Sequence, residues 1–500
     1  MPHIRVRHLA GRGPTPVMSL AAVLRILGLL LTIFSFTLVP PFVLSLAAQD
    51  GAFVAFATAF ALTMGVGVIS WLPVRKIRRE LRLRDGFVVV VMFWTVLSAI
   101  GALPFVLSDD PHLSVTDAFF ESVSGLTTTG ATVITHLDDL PISILYYRQQ
   151  LQWLGGMGII VLAVAVLPML GIGGMQLYRA ETPGPMKDSK LTPRITETAK
   201  ALWYIYLSLT IACGVAYWLA GMSVFDAISH AFSTVAIGGF STHDASMGYF
   251  NSALIDIIAV VFMFLAAVNF SLHFVAFRHR SVTGYWHDSE FRFYVLLLSI
   301  VILITVLGLI FTETYDHWQD ALVNGLFQAV SIGTTAGFTT AEFYNWPGFI
   351  AMLLLFSSFV GGCAGSTGGG IKVIRVLLLV KQGLREITRL VHPNAHIPVR
   401  IGSKTVDSRV VEAVWGFFAL YVASFTVMYL ALASTGLDLM TAFSAVAASI
   451  NNLGPGLEGV GAHYADMHDP GKWILCFAML LGRLEIFTLL VLLSPAFWRK

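Results

Sequence analysis

Four short segments of this chain align without gaps: DAFFESVSGLTTTGAT from Asp117, DAISHAFSTVAIGGFS from Asp226, NGLFQAVSIGTTAGFT from Asn324 and TAFSAVAASINNLGPG from Thr441. In each, a glycine stands thirteen places on: Gly130, Gly239, Gly337 and Gly454. Asp, Asn and Thr carry side-chain oxygens that accept from the free N–H groups of a helix start, so each segment is expected to open as a capped helix at its first residue. About ten weakly apolar residues follow, roughly 15 Å of helix, too short to cross a ~30 Å hydrocarbon core. Each segment must therefore dip in and return. Unpaired carbonyls at membrane depth are tolerable only where they line a watery cavity or bind something. A cation suits them, because a helix C-terminus carries about half a negative charge and four such ends would converge. Glycine is needed where crowding at an axis leaves no room for a Cβ or φ turns positive. One copy supplies a quarter of a ring, and four close a filter whose carbonyls replace an ion's hydration shell. The candidate filter residues are Thr128, Thr129, Gly130, Ile237, Gly238, Gly239, Thr335, Ala336, Gly337, Asn452, Leu453 and Gly454. The alternative is that these are ordinary turns in a chain with 44 glycines.

A second feature lies downstream of the third copy. The apolar run 346–391 would measure about 67 Å as one helix at ~1.5 Å per residue, over twice the ~30 Å core, so it must break. The break is GGCAGSTGGG, residues 361–370, whose six glycines disfavour helix. Its residues Gly361, Gly362, Ala364, Gly365, Ser366, Thr367, Gly368, Gly369 and Gly370 could lie across a pore beneath the filter, in the third unit only, or form a packing kink beside a neighbouring helix. A phosphate-binding loop is excluded, because Ile371 separates Gly370 from Lys372 and no Ser or Thr follows the lysine. Arg483 stands about ten residues into the last apolar run, where a lone charge is costly and by default functional. Glu485, two places on, points nearly the opposite way on a helix. Arg483 is therefore expected to face the pore and hydrogen-bond the 361–370 carbonyls, the alternative being an interhelical salt bridge. Lys372 and Arg375 could line the lower pore or reach cytoplasmic partners.

Other polar residues carry weaker expectations. Glu121, His230 and Gln328 share one frame position in the repeats and read as buried braces of the filter or as direct ion ligands. Asn269 is expected to bond a neighbouring helix. His243 and Asp244 follow the second filter segment, either to attract cations and protons or as a solvated loop. His392 and His396 flank Pro393, which argues against a shared helical face for metal. Cys213, Cys363 and Cys476 are far apart and read as packing residues.

The elements that must position these residues are membrane helices. With 56% hydrophobic and 12% charged residues the chain is too apolar for a solvated surface. Ten apolar stretches approach the ~20 residues a span requires: near 20–47, 51–73, 87–107, 146–173, 198–220, 252–277, 291–312, 347–391, 407–435 and 473–494. The first follows a basic tail (Arg5, Arg7, Arg12) but at about 28 residues exceeds a signal peptide's apolar region, so it is expected to be retained. Basic clusters sit in that tail, at 75–84, 187–200, 278–292 and 381–409, and at Arg499 and Lys500. The intervening connections carry acids such as Asp109, Asp138, Asp244, Glu342 and Asp466. Alternation of this kind puts both termini in the cytoplasm. The expected class is an all-α polytopic membrane protein with ten transmembrane and four re-entrant helices. No enzyme site is evident, and no cofactor or nucleic-acid partner is expected.

The four filter segments, with QWLGGMGIIVLAVAVLPMLGIGG from Gln152, AIGGFSTHD from Ala236, MFLAAVNFSLHF from Met263, GGCAGSTGGGIKVIR from Gly361 and GRLEIFTLL from Gly482, resemble the Trk/Ktr/HKT superfamily of potassium transporters, most closely its TrkH type. The resemblance covers nearly the whole chain. It implies four pseudo-symmetric units of helix, pore helix and helix (86–185, 186–285, 286–400 and 401–500) behind a two-helix extension (1–85), in a bacterial inner membrane. It also implies a gating role for 361–370, a homodimer surrounded by lipid, and a cytosolic TrkA-like nucleotide-binding regulator. In this family a serine at the first filter glycine accompanies sodium permeation, so Gly130 favours potassium; the fourth segment, NNLGPG, makes the filter asymmetric and less stringent. Conduction is the expected function. Proton- or sodium-coupled symport and a non-conducting receptor or scaffold stand as alternatives.

Overall fold

The structure, a computed structural model, describes residues 20–77, 83–156, 158, 195–402 and 404–499. It is mostly helical, with one two-stranded antiparallel ribbon, β1 (Arg400–Ile401) and β2 (Lys404–Thr405), pairing Arg400 with Thr405. The N-terminal helices are α1 (Leu20–Ser35), α2 (Val39–Ala48) and α3 (Phe53–Trp71). Helices α1 and α3 meet backbone to backbone: a Cβ on Gly28 would lie 2.7 Å from the Trp71 nitrogen and 2.8 Å from the Gly67 oxygen. Small residues permit this approach, which in a bilayer supplies the packing that water would otherwise drive.

Four helix triplets follow. The first is α4 (Leu83–Gly101), α5 (Val115–Leu126) and α6 (Ile142–Gly156); the second is α7 (Ile195–Leu219), α8 (Val224–Ala236) and α9 (Ala253–Ala266), continued by α10 (Phe270–His279). The third is α11 (Ser289–Phe311), α12 (Trp318–Gly333) and α13 (Gly348–Val360), continued by α14 (Val373–Val391). The fourth is α15 (Ser408–Ala433), α16 (Leu439–Ile450) and α17 (Asp469–Arg483), continued by α18 (Phe487–Leu493). The middle helices α5, α8, α12 and α16 have 12, 13, 16 and 12 residues, about 18–24 Å at ~1.5 Å per residue. Each packs against both helices of its own triplet and against the third helix of the preceding one: α5 on α17, α8 on α6, α12 on α9 and α16 on α13. The arrangement closes on itself.

Among the described residues, six helices are long and apolar enough to cross a membrane, and two bent pairs bring the number to eight. The stretch 146–173 lies outside the described residues beyond Gly156, save Gly158, and 347–391 is not one helix.

The capping residues differ from those expected. Ser114 and Ser223 cap α5 and α8, their hydroxyls accepting from Asp117 N and Asp226 N at 3.1 and 3.0 Å, and Asp438 caps α16 through Met440 N and Thr441 N. Asp117 and Asp226 sit inside the first turn, where a carboxylate favours the helix's positive end and accepts back from the capping hydroxyl at 2.8 and 2.7 Å. Asn324 lies mid-helix, because α12 starts at Trp318 and has no side-chain cap.

The interruption expected only in the third triplet recurs. Helix α9 meets α10 at 93° and α17 meets α18 at 117°. Asn269 makes the first bend by capping α10, accepting from Ser271 N at 2.8 Å, rather than by bonding a neighbouring helix. At the second, Glu485 and Ile486 adopt left-handed backbone with φ 52° and 58°. Each bent pair is long and apolar enough, taken together, to read as a continuous span.

Gly28→Leu is expected to push α1 off α3 and destabilise by about 1–3 kcal/mol, read as a lower melting temperature in detergent. Gly65 also lies on α3, but a Cβ there would meet nothing within 4 Å, so Gly65→Leu should leave the melting temperature unchanged.

Candidate functional site

All four middle helices end alike. At the helix end Thr128, Ile237, Thr335 or Asn452 takes a left-handed conformation with φ 55°, 55°, 70° and 53°. The next N–H turns back to the carbonyl five residues earlier: Thr129 to Ser124, Gly238 to Ser233, Ala336 to Ser331 and Leu453 to Ala448, at 2.7–2.9 Å. This is the Schellman ending, built here four times on residues that are not glycine. Its consequence is that N–H groups point into the helix and carbonyls point away from it. Two places on, Gly130, Gly239, Gly337 and Gly454 are again left-handed, with φ 82°, 80°, 80° and 95°. Left-handed residues flanking one ordinary residue turn successive carbonyls toward one side, which a strand would alternate.

The four segments touch in a cycle. A Cβ on Gly130 would lie 2.1 Å from Gly238 O, one on Gly239 2.2 Å from Ala336 O, one on Gly337 2.0 Å from Leu453 O, and one on Gly454 2.6 Å from Thr129 O. Carbon cannot approach oxygen so closely, so only glycine fits. The twelve candidate filter residues are thereby brought to one place, a ring of backbone carbonyls suited to a dehydrated cation.

Side chains brace the ring from behind, and they make it asymmetric. Gln152 donates Nε2 to Gly238 O and accepts from Phe240 N at 3.0 Å. Asn452 donates to Thr129 Oγ1 at 3.0 Å, and the Tyr464 hydroxyl donates to Gly454 O at 2.7 Å. Glu121, His230 and Gln328 each bond the chain just beyond their own filter segment: Glu121 accepts from Val133 N at 3.0 Å, His230 Nε2 meets Ser241 Oγ at 2.9 Å, and Gln328 donates to Ala341 O at 3.0 Å. Glu121 is also paired. Arg148 binds it through Nε at 2.8 Å, donates to Ser241 O at 3.0 Å, and lies 4.3 Å over the Phe240 ring, with both charges buried. This pair staples the first segment to the second. Sequence reading passed over Arg148 and Gln152, although RQQLQ inside an apolar run was a legible signal.

Beneath the ring, the 361–370 segment is pinned to three of the four helix ends. Thr367 Oγ1 donates to Val235 O at 3.0 Å, Gly369 N to Thr335 Oγ1 at 2.7 Å and Gly370 N to Asn451 O at 3.1 Å. Its neck is closed, for a Cβ on Gly361 would meet Gly369 O at 2.1 Å. Gly362, Ala364, Gly365 and Ser366 form the part turned toward α9 and α10, with Cys363 N donating to Ala267 O at 2.8 Å and Gly365 O accepting from Phe270 N at 3.1 Å. A Cβ on Gly368 would stand 2.9 Å from Thr334 O.

Arg483 reaches the same layer: it donates to Gly156 O at 2.9 Å, Thr128 Oγ1 at 3.3 Å and Thr367 O at 3.4 Å, and also to Gly155 O. Glu485 takes a different partner, Arg375, at 2.5 Å, and Arg375 lies 4.2 Å over the Phe417 ring. Arg375 thus links α14 to α15 and to the bend after α17. Lys372 donates to Gly368 O within the loop.

At the opposite end, His243 is no solvated loop residue. Its side chain is 14% exposed, Nδ1 bonds Asp138, Nε2 lies 3.4 Å from Asp226 Oδ1, and Tyr249 stacks on its ring. Burial disfavours its charge, but the bonds to Asp226 and Asp138 prevail and hold its pKa above the ordinary histidine value.

Three comparisons bear on this geometry. A family model described as cation transport protein, TrkH, matches residues 53–500. The chain is 60% identical over 485 residues to the Trk system potassium uptake protein TrkH of Vibrio parahaemolyticus, covering 97% of this chain and 100% of that protein. It is 59% identical over 483 residues to the protein of the same name from Halomonas elongata, again covering 97% and 100%. The crystal structure of the potassium transporter TrkH from Vibrio parahaemolyticus superposes with a TM-score of 0.88 at 57% identity, covering 96% of this chain and 100% of that one.

Two outcomes follow from the braces. Arg148→Met leaves a buried carboxylate unpaired and should destabilise by about 3–5 kcal/mol; adding Glu121→Gln should recover much of it, measured by thermal unfolding in detergent. Because the folded pKa of His243 is raised, its contribution is fully present below the unfolded value of about 6.5 and is lost as pH rises through the folded value. The melting temperature difference between the wild type and His243→Phe should therefore be larger at pH 5.5 than at pH 9.

Proposed function

The chain belongs to the TrkH family of cation transport proteins, and from that membership and the carbonyl ring we propose that it carries potassium into the cell across a bacterial inner membrane. The observation that carries this reading is the cyclic contact of Gly130, Gly239, Gly337 and Gly454 with the next segment's carbonyls. Potassium enters from the side of His243 and exchanges water for carbonyl oxygens of the four filter triplets. It then meets a gate formed by 361–370 and Arg483. The guanidinium beside Thr128 and Thr367 O opposes a cation leaving the filter, so the loop and the arginine must move together to let it pass.

The units 86–185, 186–285, 286–400 and 401–500 each supply a quarter of the pore, with 1–85 as an extension, in a ten-span protein whose termini are cytoplasmic. A homodimer in lipid, regulated by a TrkA-like cytosolic nucleotide-binding protein, completes the proposed assembly. Potassium is the cargo, with no resident cofactor.

Rubidium uptake and potassium-limited growth, in bacteria stripped of their own potassium importers, test the proposal. The wild type should rescue growth; Gly239→Asp, whose side chain must displace Ala336 O, should abolish uptake while inserting normally. Gly130→Ser must open the ring at Gly238 O and should raise sodium uptake. Normal rubidium uptake by Gly239→Asp would remove the ring from the conduction path.

A further inference from the structure

Glu290 is a buried carboxylate that the conduction path does not use. It stands in the first turn of α11, behind the capping residue Asp288, whose side chain accepts from Phe291 N at 2.8 Å, and is 8% exposed. One oxygen, Oε1, accepts two backbone N–H groups from different elements: Ala364 N of the 361–370 loop at 2.6 Å, and Ile374 N in the first turn of α14 at 3.2 Å. A carboxylate is well placed at a helix N-terminus, where free N–H groups carry partial positive charge, and charged acceptors make the stronger hydrogen bonds. The two donors differ in their place relative to the loop. One lies in its outward half, the other just past its end.

We propose that Glu290 is a positioning residue that latches the loop to the start of α14 and so holds the closed arrangement beneath the ring. This rests on the reading of 361–370 as the gate. Other anchors of the loop are ties to the filter helices through Thr367, Gly369 and Gly370, to the α9–α10 bend through Cys363 and Gly365, and to the start of α14 through Val373 N on Gly362 O and Lys372 on Gly368 O. Glu290 differs from these in bridging the loop and α14 from a third element, α11, through one charged acceptor. A shift of α14 reaches the loop's start through Val373 N and Gly362 O, and the Glu290 oxygen is the link that carries it to Ala364 in the outward half.

Rubidium flux into proteoliposomes holding the full chain alone tests the latch with three substitutions. Glu290→Ala removes the acceptor and Glu290→Asp withdraws it by one methylene; each should raise the maximal flux, by about tenfold for Ala, the change expected when a closed state loses roughly one charge-assisted hydrogen bond. Glu290→Gln keeps an oxygen in reach and should restore flux most of the way to wild type. The half-saturating rubidium concentration and the rubidium-to-sodium ratio should stay at wild-type values, because the ring is untouched. A merely structural role would lower folded yield without raising flux per folded molecule. Deletion of residues 365–368 serves as the separate check on the gate itself. If the deletion raises flux while Glu290→Ala and Glu290→Asp, folded by size exclusion, do not, the latch is overturned and the gate stands. If neither raises flux, the gate reading falls and the latch with it.

Discussion

Where four middle helices converge, Gly238 O and Gly454 O accept from Gln152 and Tyr464, but a carbonyl there without such a donor finds no bulk water at membrane depth to take the donor's place. Such groups survive only if the surrounding structure forces them there and something cationic or aqueous occupies the centre. In this chain the forcing is done by the Schellman ending of each middle helix, which spends the N–H groups of residues 128–129, 237–238, 335–336 and 452–453 on the helix's own last turn. Four carbonyl-lined segments then crowd until each glycine carbon rests on the next segment's oxygen. The rest of the architecture follows from keeping that crowd in register. Each middle helix is wedged between its own partners and the last helix of the preceding triplet, so no one segment can withdraw without opening its neighbour.

Much of this could be read in the sequence, because crowding leaves a mark that composition cannot hide. Gly130, Gly239, Gly337 and Gly454 stood at one spacing for a reason that was steric, and the shortness of the helices before them was a matter of counting residues. The capping residues were misplaced by three because Asp117 and Asp226 suit a cap as well as a first turn, and only Ser114 and Ser223 upstream make the difference. Bends after α9 and α17 were invisible for a related reason. Neither site is rich in glycine and proline; Asn269 works by capping a new helix, and Glu485 and Ile486 turn the chain through left-handed backbone. Hydropathy registers neither event.

The braces behind the ring were harder to read for a different reason, since they depend on partners far apart in sequence. Arg148 lies 27 positions from Glu121 and 93 from Ser241, and nothing in local pattern pairs them. Each triplet solves the same bracing problem with other chemistry: a buried ion pair at Glu121, an imidazole at His230, an amide at Gln328, and in the fourth copy Ser444, which accepts from Leu457 N at 2.9 Å. The backbone geometry is fourfold while the side chains are not. A ring with four unlike supports will yield unequally when pushed: the first and second segments are joined by Arg148, which holds Glu121 and Ser241 O, and by Gln152.

Asymmetry also decides how the ring and the layer beneath it communicate. The 361–370 segment bonds to the ends of α8, α12 and α16 through Val235 O, Thr335 Oγ1 and Asn451 O, and Arg483 closes the remaining quadrant through Thr128 and Gly156 O. Thr128 and Thr335 are themselves residues of the ring's left-handed turns. Any movement of the loop or of Arg483 therefore disturbs bonds to side-chain hydroxyls carried by the ring's own residues, which ties the two layers together. Since packed interiors rearrange between discrete states more readily than they deform, the loop and arginine should move as one unit, with the ring's first and third segments the first to register the change.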